Sequence, residues 1–165
     1  MKELLNQESI ERTLKRMTHE IIERYPDLTD VILVGILNKG FLVAKKIQEH
    51  LKSFTQKDIP CVPLDITAYR DDQKGVEAQK NFLKSDQKNI ILIDDVLYTG
   101  RSVRAAMDAV VENGRPQSIT LAILIDRGHR ELPIRPDFIG KNIPTSKDEN
   151  IFVDLEKGTV SLIHP

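Results

Sequence analysis

Asn89-Ile90-Ile91-Leu92-Ile93-Asp94-Asp95-Val96-Leu97-Tyr98-Thr99-Gly100-Arg101-Ser102 is the stretch on which the reading of this chain turns. Asn89–Asp94 is apolar at successive positions rather than alternate ones, the pattern of a strand buried on both faces. From about Arg101 the period becomes helical, with Val103, Ala106, Met107 and Val110 on one face and Gly114 as the stop. Between strand and helix lie two adjacent acids, then Thr99, Gly100, Arg101 and Ser102. Paired acids at a strand end can accept hydrogen bonds from sugar hydroxyls or hold a hydrated Mg²⁺. Hydroxyls, a glycine and free N–H groups at a helix N-terminus make a phosphate cradle. Acids first and an anion cradle five residues later suit a ribose 5-phosphate. A strand that merely ends in acids before a capped helix is the plainer reading, but a cap needs one side chain and this segment commits six polar or glycine positions.

The rest of the chain repeats the strand–helix theme. Residues 7–24 read as an amphipathic helix, with Ile10, Leu14, Met17 and Ile21 on one face and Pro26 beyond its end. Val31–Leu37 is a strand, Asn38-Lys39-Gly40 a break, and Val43, Ala44, Ile47 and Leu51 the apolar face of a second helix. Val62–Thr67 and Ile119–Ile125 are further strands, and Ile151–Leu155 and Val160–Ile163 close the list. This alternation predicts an α/β fold, a mainly parallel central sheet flanked by helices. In such sheets ligands bind beyond the carboxyl ends of the strands. Residues 69–88 are polar with few apolar anchors, the mark of an active-site lid rather than a plain connector.

Composition sets the outer bounds. A chain of 165 residues fits one domain, 1–165, able to bury a core without staples. Cys61 stands alone, which excludes a disulfide framework and a cysteine zinc site and fits a reducing, cytoplasmic setting. Neither a secretory h-region nor a membrane-length apolar run is present. The 24 Lys and Arg against 25 Asp and Glu argue against a nucleic-acid coat, yet Arg127–Lys147 is locally basic. Gly-x-Gly-x-x-Gly is absent, and Gly35–Gly40 has P-loop spacing but Phe41-Leu42 where Lys-Ser/Thr is needed, so a Walker ATPase is excluded. Asn38-Lys39-Gly40 remains either an anion-binding turn or a tight connection with a surface lysine. A phospho-acceptor receiver domain also pairs acids after an apolar strand, but there the pair follows the first strand. Here it follows at least two.

Ile91–Val103 resembles the signature of type I phosphoribosyltransferases, which use 5-phosphoribosyl-1-pyrophosphate (PRPP). Asp65-Ile66-Thr67-x-Tyr69-Arg70-Asp71-Asp72, Asp126–Arg135 and Ile139–Lys147 resemble the PyrR family in particular, and the similarity spans essentially the whole chain. The resemblance implies a type I phosphoribosyltransferase fold with a small hood at 127–147, and the reaction of uracil with PRPP to give UMP and pyrophosphate. Asp94 and Asp95 would hold the ribose hydroxyls. Thr99, Gly100, Arg101 and Ser102 would cradle the 5-phosphate and Lys39 and Arg70 would meet the pyrophosphate, with Asn38, Gly40, Val96, Leu97 and Tyr98 as further substrate-binding residues. Asp94, Asp95, Arg70 and Lys39 are thus the expected catalytic residues, with Arg127 reaching the base. Mg²⁺ would be carried by PRPP and water without a direct protein ligand. The resemblance also implies UMP-responsive binding of leader mRNA from a pyrimidine operon, hence transcription attenuation, and a homodimer or homotetramer. Arg12, Lys15, Arg16, His19 and Arg24 on the first helix, with Arg130, Arg135 and Lys141, would face the RNA. Two rivals stay open: a salvage enzyme that binds no RNA, and a nucleotide-sensing regulator that turns over poorly. Two departures bear on them. Relatives usually read Thr-Arg-Gly where this chain has Asn38-Lys39-Gly40, and its lid is short.

Overall fold

The computed structural model describes residues 1–71 and 83–165. A five-stranded sheet runs in the order β3-β2-β4-β5-β6, comprising β2 (Val31–Ile36), β3 (Cys61–Leu64), β4 (Asn89–Leu97), β5 (Ser118–Asp126) and β6 (Phe138–Asn142). Every neighbouring pair is parallel. A second, antiparallel sheet in the order β1-β8-β7 is built from β1 (Lys2–Leu5), β7 (Asn150–Asp154) and β8 (Thr159–Ile163). The helices are α1 (Gln7–Arg24), α2 (Lys39–Thr55) and α3 (Arg101–Glu112).

The unbroken apolar runs are explained by coverage on both sides. Leu33, Ile91, Ile93, Ala122 and Leu124 join α1 and α2 in one core. The alternate residues Val34, Ile90, Leu92, Leu121 and Ile123 join α3 in another. Both faces of each central strand therefore leave water, which is the reason parallel strands carry no polar alternation. Asn6 starts α1 by accepting a 2.9 Å hydrogen bond from the Ser9 N–H.

The structure differs from the sequence reading at several points. The third strand is shorter than Val62–Thr67: it ends at Leu64, and Thr67–Tyr69 forms a 3-10 turn after an Asp65 carboxylate accepts from the Thr67 N–H at 2.9 Å. Two strands were not foreseen, β1 and β6. β6 is an edge strand in which only Phe138 and Gly140 are buried, so it has no apolar run to betray it. It also divides the 127–147 segment, since 138–142 belongs to the central sheet. The small sheet comes instead from both ends of the chain, with Lys2 opposite Leu162. The part of the expected lid at 72–82 lies outside the described residues. Among the described residues, no helix is long and apolar enough to cross a membrane.

Ile93 is fully buried between α2 and the sheet. Ile93→Ala is expected to cost about 2–5 kcal/mol in urea unfolding. Val111→Ala, on the exposed face of α3, should stay within about 0.5 kcal/mol of the parent.

Candidate active site

The carboxyl ends of β2, β3 and β4 open into a cavity of about 550 Å³ lined by Asn38, Lys39, Asp65, Arg70, Asp94 and Asp95, among others. A second cavity of about 310 Å³ adjoins it over the β4–α3 turn, from Val96 to Val103, and shares Arg70, Asp94, Val96 and Ser102 with the first. The two form one cleft along the strand ends.

The acidic pair sits at its centre. Asp94 accepts from the Asp95 N–H at 2.9 Å, and Asp95 accepts from the Val96 N–H at 2.8 Å. Burial and the charge of Asp95 push the Asp94 carboxyl well above the usual carboxylate range, with Arg70 pulling the other way. The N-terminus of α2 presses directly on this pair. A Cβ at Gly40 would lie 2.6 Å from the Ile93 carbonyl and 2.9 Å from Asp94 Oδ1, so no larger residue fits. The peptide between Leu37 and Asn38 is cis, and Asn38 caps α2 without a side-chain hydrogen bond. That end of α2 keeps its N–H groups for an anion.

The second anion site is the start of α3. Gly100 takes φ +97°, a left-handed conformation that favours glycine, and it caps the helix without a side-chain bond. Arg70 spans the two halves of the cleft, donating to Ser102 Oγ at 2.7 Å. The Arg101 guanidinium turns outward to Asp71 (2.7 Å) and Glu131 (2.8 Å), so it is the backbone and hydroxyls of this turn that face the cleft.

Arg127, expected from the sequence to reach the base, has its partners elsewhere in this structure. It is buried, and its guanidinium is committed to Thr145 Oγ1 (2.9 Å), Asn150 Oδ1 (2.9 Å) and the carbonyls of Ser146 and Glu149, while stacking 4.0 Å from the Tyr98 ring centroid. It lines neither cavity; it holds the hood together. Arg130 also turns inward, to Asp126 (2.6 Å) and the Tyr98 carbonyl (3.0 Å). The other basic residues lie on the surface. Arg12, Lys15, Arg16, His19 and Arg24 share the outer face of α1, and Arg135 and Lys141 are exposed. Arg16 Nη2 donates to the carbonyls of Ile139 (3.1 Å) and Gly140 (2.6 Å), which makes the α1 face continuous with β6. His19 stacks on Phe54 at 4.4 Å.

Asp65 and Thr67 were missed as cleft residues, although the rule that ligands sit beyond strand ends pointed to them. Among the described residues no three His, Cys, Asp or Glu side chains converge as a metal cage. The hard oxygens of Asp94 and Asp95 nevertheless suit a Mg²⁺ that brings its own waters and phosphates.

Comparison with known proteins follows the geometry. Residues 1–156 match the phosphoribosyl transferase domain family. The chain is 50% identical over 161 residues to the bifunctional protein PyrR of Enterococcus faecalis, covering 94% of this chain and 90% of that protein. It is 51% identical over 162 residues to that of Pediococcus pentosaceus, covering 92% of each. Among solved structures it resembles the hypoxanthine phosphoribosyltransferase of Trypanosoma cruzi (TM-score 0.80, 15% identity, 100% of this chain and 97% of that one). A hypoxanthine-guanine phosphoribosyltransferase of Bacillus anthracis is similar too (TM-score 0.78, 18% identity, 98% and 96%). At those identities the likeness is one of fold.

The raised Asp94 carboxyl sets the sign of a pH effect. Between the ordinary carboxylate range and its folded value, Asp94 keeps a proton that the unfolded chain gives up, so its contribution to stability falls as the pH rises through that window. Asp94→Asn should therefore raise the urea midpoint at neutral pH and flatten its decline as the pH rises above the ordinary carboxylate range.

Proposed function

Because the chain belongs to the phosphoribosyl transferase family, and to its PyrR branch, we propose that it transfers the 5-phosphoribosyl group of PRPP to uracil, giving UMP and pyrophosphate, and that it binds pyrimidine-operon leader mRNA in response to UMP. The observation that carries the enzymatic half is the order of groups along one cleft. The start of α2, with Lys39, lies at one end, the acids are in the middle, and the start of α3 with Thr99 and Ser102 is at the other, Arg70 reaching across both halves. That order matches pyrophosphate, ribose diol and 5-phosphate.

Asp94 and Asp95 accept from the ribose hydroxyls and fix the sugar. The acidic pair also faces the positive character that grows on the anomeric carbon as pyrophosphate leaves. The N–H groups of α2, with Lys39 and Arg70, stabilise the departing charge. Catalysis is then positioning and charge neutralisation, with no covalent intermediate on the protein. Mg²⁺, when bound with PRPP, neutralises the pyrophosphate oxygens; Asp94 and Asp95 are the residues that would meet its waters. The segment between Tyr69 and the buried Leu83 and Ser85, which anchor its far end to the C-terminal turn of α3, acts as the lid, excluding water that would otherwise hydrolyse PRPP.

The RNA half rests on the α1 face, which Arg16 joins to the exposed Arg135 and Lys141 region. Basic clusters of this kind grip the phosphates of RNA loops.

With Mg²⁺, PRPP and radiolabelled uracil, the protein should form UMP. Asp94→Asn/Asp95→Asn should abolish turnover, and Arg70→Ala should lower kcat/KM by about 10²-fold or more. Hypoxanthine, guanine and orotate serve as controls; turnover with one of these and none with uracil would defeat the uracil assignment. For RNA, Lys15→Ala and Lys141→Ala should each weaken leader binding, reducing the slope of log K against log salt by about 0.7 per lost phosphate contact.

A further inference from the structure

Lys39 and Phe152 form a contact that the reaction itself does not require. The Lys39 Nζ sits 3.7 Å from the centroid of the Phe152 ring, a cation–π geometry. Phe152 lies on β7 of the small sheet and is 39% exposed, whereas its neighbour Val153 is in the core. Lys39 lines the cavity that holds Asp94 and Asp95, yet among the described residues it makes no ion pair with either. The ammonium has thus chosen an aromatic face over two nearby carboxylates.

We infer that Phe152 is a positioning residue that parks the Lys39 ammonium on the hood until a pyrophosphate group draws it into the cleft. The inference rests on the phosphoribosyltransferase reading and adds to it a coupling between β7 and the pyrophosphate end. The physical logic is competition. The uncapped N–H groups of α2 fix where an anion binds, and Lys39 is the first residue of that helix. Its side chain can reach the anion only by leaving the ring. Whatever the cation–π contact contributes to the unliganded form is subtracted from pyrophosphate affinity. Contacts of this type at partly exposed sites are modest, so the tax on affinity is about two- to fivefold.

The test is a cycle of four variants read by calorimetric titration of inorganic pyrophosphate with Mg²⁺, which needs no uracil and no turnover. Phe152→Leu keeps an apolar side chain and removes the π face, and it should bind pyrophosphate about two- to fivefold more tightly than the parent. Phe152→Tyr keeps the π face and should match the parent within the error. Lys39→Met should weaken binding, and Lys39→Met/Phe152→Leu should be no tighter than Lys39→Met alone. Equal affinities for the parent and Phe152→Leu overturn the inference, as does weaker binding by Phe152→Leu. So does a tightening that persists when Lys39 is already Met. A parent protein that binds no pyrophosphate at all would instead bring down the phosphoribosyltransferase reading, and this inference with it.

Discussion

Two carboxylates on consecutive residues at the end of one buried strand repel each other, and the cleft is arranged around that repulsion. Asp94 is held where burial and its neighbour's charge both disfavour ionisation. The backbone is held by pairing with β2 up to Ile93 and with β5 beyond it, and by α2, which abuts Asp94 through Gly40. What remains is to supply positive potential from elsewhere: Arg70 across the cavity, and the positive dipole ends at the starts of α2 and α3. The unliganded site is therefore strained in the sense that a sugar diol and a cation would relieve it. Such strain at a functional site is offset by the surrounding core rather than by the site itself.

The hood depends on the same strand. Leu97 and Thr99, on the way out of β4, accept through their carbonyls from the N–H groups of Arg127 (3.1 Å), Glu131 (2.9 Å) and Leu132 (3.2 Å). Tyr98 lies between them with Arg127 over its ring and His129 edge-on at 5.4 Å, while its carbonyl takes Arg130. The phosphate turn and the hood are consequently one hydrogen-bonded body. A change in how the turn holds an anion is felt directly by the segment that would cover a base, and by Arg130 beyond it.

The residues that were legible in the sequence are those whose role follows from type and spacing alone. An apolar run ending in Asp94-Asp95 and followed by Thr99-Gly100 specifies a doubly covered strand, an acidic pair and a helix start, and the structure has all three. The doubly apolar strands likewise specified the parallel sheet. The partners of Arg127 were not legible because an arginine's destination is set by long-range contacts. Thr145 and Asn150 lie 18 and 23 residues away, and nothing near Arg127 announces them. β6 escaped for a related reason: an edge strand anchored by Phe138, by a glycine against the Leu124 carbonyl and by Arg16 on its outward carbonyls carries no periodic signal. β1 is only four residues long and half exposed, and its identity as a strand exists only through β8.

That last pairing has a consequence for the order in which the molecule can be completed. Four of the five parallel strands and the acidic pair are in place once β5 has been made, and β6 completes that sheet, so the acidic cleft can assemble on a growing chain. The hood sheet cannot, because its middle strand is β8 and its first strand has waited since Lys2–Leu5 for Val160–Leu162 to emerge. During synthesis the small sheet closes only after every other strand and helix has emerged, with the N-terminal strand left unpaired until then. A chain cut after β6 would carry Asp94, Asp95 and the starts of α2 and α3 but no Phe152 for Lys39 to rest upon: an open cleft without its cover.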